Sequence, residues 1–275
     1  MKWSENEKYI IIERYNNGES SLQIAKDYNV TASSICGLLR RNGCVLRSNK
    51  INSRKYSFNE NYFKNIDTAE KAYWLGFIAA DGYVQTHNSY TTKYIGITLA
   101  EKDIKHLEKF KASIEYTGPI KIYNYHGYTD SKGAKILLCS ENMYNDLVIH
   151  GIVEHKSNIL NRPNIPKKFA GAYILGYFDG DGSIYATEKS CGIKFVGTDD
   201  ILNYIIEYLS ENGIDCENKA KNKRHENDIV EYISFGGYNK IIKIMNLLYS
   251  NVIESIPLER KYQKYLNFKN SRSNK

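Results

Sequence analysis

Eleven residues are written almost twice in this chain. AYWLGFIAADG occupies residues 72–82 and AYILGYFDGDG residues 172–182, an interval of 100. In each copy small residues fall at i, i+4 and i+8: Ala72, Gly76 and Ala80, then Ala172, Gly176 and Gly180. On a helix those positions form one smooth face. Glycine in a helix interior costs about 0.5–1 kcal/mol relative to alanine. Two such glycines in register therefore point to helices whose backbones approach closely across a small-residue stripe. Trp74, Leu75, Phe77 and Ile78, with Ile174, Leu175, Tyr177 and Phe178, supply the flanks of two half-cores.

The repeat continues beyond the motif. AEKDIKHLEKF and VGTDDILNYIIEY align with Asp103 on Asp200, an offset of 97, and Asn142 aligns on Asn239 at the same offset. Three residues are lost just after the second motif, as a shorter hairpin would require. Each half reads helix, two strands, helix, two strands, helix, with strands in the first half near residues 83–87, 94–99, 120–125 and 135–139. Residues 151–170, with Pro163 and Pro166, join the halves. The expected class is α+β: two pseudo-symmetric αββαββα half-domains, 62–160 and 161–268, followed by a polar tail, 269–275.

Each motif ends in an acid and a glycine. If the helices pair about a pseudo-twofold axis, Asp81 and Asp181 become neighbours at their C-terminal ends. A carboxylate there opposes the helix macrodipole, and two together repel. A cation between them relieves both penalties. Hard oxygen ligands without nearby His or Cys suit Mg²⁺, or Mn²⁺, with the carbonyls of Ala80 and Gly180 as further ligands. Asp-Gly after an apolar helix is also an ordinary turn signal; its recurrence beside the same small-residue stripe favours a paired site.

The two stretches resemble the signature helices of the LAGLIDADG homing endonucleases in their single-chain, two-motif form. The resemblance covers about residues 62–268, and the element order matches that family's half-domain. The second copy is the closer one; in the first, Ala79 stands where Asp179 keeps the motif's earlier acid. The resemblance makes Asp81 and Asp181 the catalytic acids of a monomeric, metal-dependent DNA endonuclease. It implies a long asymmetric site in double-stranded DNA and a staggered break with 3′ overhangs. It also implies a basic residue near each centre. Glu141 and Gly236 occupy the neighbourhood expected for it, which leaves Lys156, Lys261 or solvent. An intron maturase or a non-cleaving DNA-binding regulator on the same scaffold are the alternatives, and the two intact acids weigh against both.

Strand parity after each acid puts Gln85, His87 and Ser89, and Tyr185, Thr187 and Lys189, on the face of the acids. These groups can reach base edges or phosphates. Val84 and Thr86, and Ile184 and Ala186, face the other way. Lys121, Tyr123 and Tyr125, and Lys219, Lys221 and Lys223, extend the candidate DNA surface on later strands. A net charge of +7 and 24 tyrosines fit such a partner.

Residues 1–43 read as a separate helix-turn-helix. Ser4 and Glu7 form a capping box ahead of Tyr9, Ile11, Ile12 and Tyr15. A short helix with Leu22, Ile24 and Ala25 follows. Thr31 caps a third helix containing Ile35, Leu38 and Leu39 and closed by Gly43. In that motif the last helix enters the major groove, which puts Thr31, Ser33, Ser34 and Arg40 toward DNA; a plain three-helix domain is the other reading. Residues 44–61 form a basic linker whose Arg47, Lys50, Arg54 and Lys55 can track phosphates.

Five scattered cysteines without CxxC spacing argue against a zinc site or a disulfide framework. The polar start MKWSENEKY has no apolar signal core and no apolar run is long enough to span a membrane, so the expected location is the cytoplasm of a bacterial or phage-infected cell, with an organelle as the alternative. The composition, heavy in Asn, Lys, Ile and Tyr, suggests an AT-rich phage or bacterial genome, and nothing resembles intein splice junctions.

Overall fold

A computed structural model describes residues 3–17, 19–46, 55–87, 92–125, 131–186, 191–216 and 231–270. It divides into two compact units, Met1–Ser57 and Phe58–Lys275.

The first unit holds three helices: α1 (Glu5–Asn16), α2 (Ser21–Asp27) and α3 (Ala32–Arg41). Two are opened by capping boxes, Ser4 with Glu7 and Ser20 with Gln23, and the third by the Thr31 hydroxyl on the Ser34 amide. These caps satisfy amides that a helix start leaves unpaired. Asn29 takes φ 49° in the turn between α2 and α3, and Gly43 takes φ 76° beyond α3. Ile11, Tyr15, Ile24, Ala25, Ile35, Leu38 and Leu39 form the core. Tyr9 and Leu22, grouped in the sequence with the apolar residues of these helices, are 66% and 60% exposed. Tyr9 and Leu22 lie two residues before the buried Ile11 and Ile24, and residues two apart on a helix point to different faces.

In the second unit the first half runs α4 (Ala69–Asp81), β1 (Gly82–His87), β2 (Thr92–Ala100), α5 (Ile104–Ser113), β3 (Lys121–Tyr125), β4 (Ser131–Cys139) and α6 (Glu141–Ile149). The second runs α7 (Ala170–Asp181), β5 (Ser183–Ala186), β6 (Cys191–Gly197), α8 (Asp199–Glu211), β7 (Glu231–Gly236), α9 (Tyr238–Tyr249) and α10 (Glu259–Asn270). The antiparallel sheets have orders β1-β2-β4-β3 and, among the described residues, β5-β6-β7. The strand expected around Lys219, Lys221 and Lys223 lies outside the described residues. Val84 faces Ile95, and Ile184 faces Ile193, so the apolar parity of both hairpins turns inward. The unit begins earlier than the reading of 44–61 as linker implied. Phe58 packs edge-on against Tyr116, and the Asn59 amide donates to the Ile114 carbonyl.

The paired helices form the centre of a single apolar cluster that spans both halves. Every residue from Ala72 to Ala79 on α4, and from Ala170 to Asp179 on α7, is buried. The packing is reciprocal. A methyl at Gly76 would lie 2.0 Å from the Tyr173 carbonyl oxygen, and one at Gly176 would lie 1.9 Å from that of Tyr73. No side chain fits there, which is the physical content of the repeated glycine. Gly82 and Gly182 answer a different need. Each turns the chain from helix to strand so tightly that a methyl would meet Ile78 Cγ2 at 2.6 Å or Phe178 Cδ2 at 2.2 Å.

Two arginines in matching places grip the aligned aspartates of the repeat, and one of them ties the halves together. Arg260 of α10 grips Asp103, at the entrance to α5 in the first half, at 2.9 Å. Arg162, 98 residues earlier in the joining segment, grips Asp200 of α8 in the second half at 2.8 Å and also Glu207 at 2.9 Å. The Arg162 pairs are solvent-facing and contribute about 1 kcal/mol or less. Asp103 is almost fully buried, so its arginine offsets a larger desolvation cost.

Candidate functional site

The two helices end side by side: a methyl on Gly180 would touch the Ala80 Cβ at 2.3 Å and lie 3.3 Å from the Asp81 amide nitrogen. Asp81 and Asp181 are therefore the last residues of two abutting helix ends. Burial, and then the charge of Asp181, pushes the Asp81 carboxyl up to about 6. Burial raises Asp181 as well, opposed by Lys156 and Lys261. Like charges at the negative ends of two helix dipoles make this a place that attracts cations.

Two lysines answer that field. Lys156, 7% exposed, comes from a short loop after the first half and donates from Nζ to the Ala80 carbonyl at 3.0 Å. Lys261, 3% exposed, reaches back from the first turn of α10. Its three protons are shared among the carbonyls of Phe178 at 2.6 Å, Asp179 at 2.8 Å, Gly180 at 3.2 Å and Gly182 at 2.6 Å. Burial holds both ammonium groups below the ordinary lysine value, Lys261 at about 8. Each serves as a cationic cap on carbonyls that a helix C-terminus leaves unpaired. Neither Glu141, which opens α6, nor Gly236, which ends β7, occupies this role.

The donor set fits a hard divalent ion. Among the described residues no group of three or more His, Cys, Asp or Glu could form an all-protein cage. Mg²⁺ is ordinarily held by one or two carboxylates and keeps several waters, and Asp81 and Asp181 are of that kind. The Ala80 and Gly180 carbonyls each already accept a lysine proton, so one lone pair on each remains for an ion. A divalent cation should therefore raise the melting temperature, by the equivalent of about 2.7 kcal/mol at a hundredfold excess over Kd. Protons compete for a carboxyl whose value is raised to about 6, so this gain should shrink as the pH falls through 6. It should vanish in the Asp81→Asn/Asp181→Asn double variant. Thermal melts with and without Mg²⁺ across that pH range provide the check.

A cleft of about 440 Å³ opens beside the Asp81 end, between β1 and the loop that carries Lys156. That loop is anchored. Glu154 accepts from Tyr144 at 2.9 Å and from Thr86, and Lys93 donates to Thr86 at 2.8 Å. His155, next to Lys156, sits at φ 56°, a backbone state that costs a non-glycine residue about 1–3 kcal/mol. Strained residues of this kind cluster at sites where a neighbour must be aimed.

On the strands that leave the acids, Gln85, His87 and Tyr185 are exposed, Val84 and Ile184 are buried, and Thr86 is half-buried. Lys121 is exposed and Tyr123 half-buried on β3, while Tyr125 closes that strand by pairing through its backbone with Ser131. In the first unit Thr31, Ser33, Ser34 and Arg40 are all exposed on or beside α3, and Lys55 is exposed near that unit's end. Ser89, Thr187, Lys189, Lys219, Lys221, Lys223, Arg47, Lys50 and Arg54 lie outside the described residues. Among the described residues no helix is long and apolar enough to cross a membrane.

Two helices that each end in an acid, packed with two antiparallel sheets, define an α+β fold. Among solved structures similar to this chain, I-GzeII and I-LtrWI are named LAGLIDADG homing endonucleases and I-SmaMI a meganuclease. I-GzeII in complex with its DNA target is 13% identical, with a TM-score of 0.49, over 72% of this chain and 88% of that one. I-LtrWI bound to target DNA is 16% identical, with a TM-score of 0.47, over 78% and 92%. I-SmaMI bound to an uncleavable DNA is 14% identical, with a TM-score of 0.45, over 71% and 88%. No family model matches the chain, and no curated protein matches it.

Proposed function

We propose that this protein is a site-specific DNA endonuclease that hydrolyses one phosphodiester bond in each strand of a long, asymmetric double-stranded site. The observation that carries this reading is the paired helix ends, where Asp81 and Asp181 share one field and each end is capped by a buried lysine. A hydrolase of charged phosphodiesters needs such a centre, able to gather positive charge where negative charge develops. A polar turn does not need it.

Asp81 and Asp181 would hold the divalent ion, which supplies Lewis acidity toward a phosphoryl oxygen and makes a water easier to ionise. The protein's own groups do the rest. The Lys156 ammonium spends one proton on the Ala80 carbonyl and retains donors for a phosphate oxygen or a leaving 3′ oxygen. Gln85, His87 and Tyr185 stand on strands that start at the acids, so the sheets would follow the groove away from the cut. Lys121 and Tyr123 extend that surface. Because the halves differ in sequence, the preferred site would be asymmetric.

We further infer that the three-helix unit is a second DNA contact, through Thr31, Ser33, Ser34 and Arg40, with the basic residues up to Lys55 tracking phosphates. Deleting residues 1–49 should weaken DNA binding and flatten its dependence on salt, since fewer phosphates are neutralised. Fluorescence anisotropy at several salt concentrations measures both; an unchanged affinity would leave the unit without this role.

The decisive experiment is incubation of the full chain with a supercoiled plasmid library carrying randomised inserts, with Mg²⁺ or with EDTA. Linear product with Mg²⁺ alone, and one recoverable insert sequence, is the expected result. DNA binding without nicked or linear product would favour a regulator instead.

A further inference from the structure

The second motif carries an acid that the first lacks: Asp179, where the first copy has Ala79. Asp179 is fully buried. Its Oδ2 accepts from the Tyr73 hydroxyl at 2.6 Å and from the Leu258 amide at 2.8 Å. Its Oδ1 is buried with no hydrogen-bond partner. The Tyr73 hydroxyl also meets His106 Nε2 at 3.2 Å, so the carboxylate is anchored into the first half.

A half-satisfied carboxylate away from water costs several kcal/mol unless a cation lies in its field. The buried cation in that field is Lys261. The need is mutual: the ammonium is 3% exposed and donates only to neutral carbonyls, and of the three carboxylates in its field, Asp179, Asp81 and Asp181, the first acts on it most strongly. The backbone contact points the same way. Leu258 lies three residues before Lys261, and its carbonyl accepts from the amides of Lys261 and Tyr262. Fixing the Leu258 amide therefore fixes the turn from which Lys261 reaches the end of α7. Lys156 is held otherwise, by the loop tied through Glu154 to Thr86 and Tyr144.

We propose that Asp179 is the positioning residue of Lys261, holding its ammonium over the end of α7, so that one of the two cleavage centres depends on a side chain with no equivalent at the other. This rests on the endonuclease reading above.

The test uses the full chain, Mg²⁺ and a plasmid bearing the recovered site, with the two strands labelled separately. Lys261→Met identifies the strand that relies on Lys261. Asp179→Asn keeps shape and acceptor but removes the charge. It should slow cutting of that same strand at least tenfold under single-turnover conditions. The other strand and the DNA affinity should stay within twofold. Tyr73→Phe removes one donor and leaves the carboxylate intact. It should slow the same strand by a smaller factor, and it carries the test if Asp179→Asn does not fold. A purely structural role would lower the melting temperature and slow both strands alike. Equal slowing of the strands by any of the three variants, or no slowing by Asp179→Asn, overturns the proposal. A wild-type chain that cuts no plasmid in the library would refute the endonuclease reading instead.

Discussion

Asp81→Asn and Asp181→Asn should each lower double-strand cleavage by on the order of 10³-fold or more, equivalent to about 4 kcal/mol of barrier, while specific DNA binding survives. Asparagine keeps the size of the side chain but cannot supply the negative charge that gathers the metal. Binding should hold or tighten, because removing a carboxylate beside a phosphate removes a repulsion. The same substitution should also stabilise the folded protein in the absence of metal. The Asp81 carboxyl is raised to about 6 from an ordinary 3.8, so its charged form is disfavoured in the native state. That cost is present above pH 6, falls as the pH drops through 6, and is gone below about pH 4, where both states are protonated. The gap in melting temperature between Asp81→Asn and wild type should follow that course. Stability gained together with activity lost is the signature of a residue retained for function. A variant that still cuts at the wild-type rate with Mg²⁺ would refute the assignment.

The second large effect concerns the glycines. Gly76→Ala or Gly176→Ala should destabilise the second unit by more than about 3 kcal/mol, the upper part of the range for overpacking. The added methyl would sit 2.0 Å or 1.9 Å from a backbone oxygen of the facing helix. A side chain can rotate out of such a clash, but a carbonyl inside a helix cannot. The helices must then separate, and the acids at their ends separate with them. Chemical denaturation of each variant, followed by Mg²⁺-dependent cleavage, measures both consequences. An alanine variant of wild-type stability would mean that the helices are not packed at this distance.

Much of this was legible in the chain itself, and the reason is physical. Close helix packing demands glycine at Gly76 and Gly176, and the tight exit into a strand demands it at Gly82 and Gly182. These steric needs leave a local mark that survives in eleven residues. Strand parity likewise gave the exposed Gln85, His87 and Tyr185, because alternation is a local property. The rest of the site is assembled from afar. Lys156 and Lys261 lie 75 and 80 residues beyond their acids, at an offset that differs from the 97–100 of the rest of the repeat, so alignment alone does not pair them. One arrives on a single 3-10 turn and the other on a long helix. Asp179 reads in the sequence as a variable letter of the motif. Only the tertiary contacts with Tyr73 and Leu258 reveal what it holds. Tyr9 and Leu22 mark the opposite case: apolar letters beside the core residues Ile11 and Ile24 that the fold leaves exposed.

The two arginines have a consequence for the chain's architecture. Arg162, in the segment that joins the halves, fastens Asp200 of the second, while Arg260, on the last helix, fastens Asp103 of the first. The covalent tether between the halves duplicates an embrace that the Arg260 hook already makes. The joining segment and the last helix thus play the same part in the two halves, as a pseudo-twofold arrangement requires.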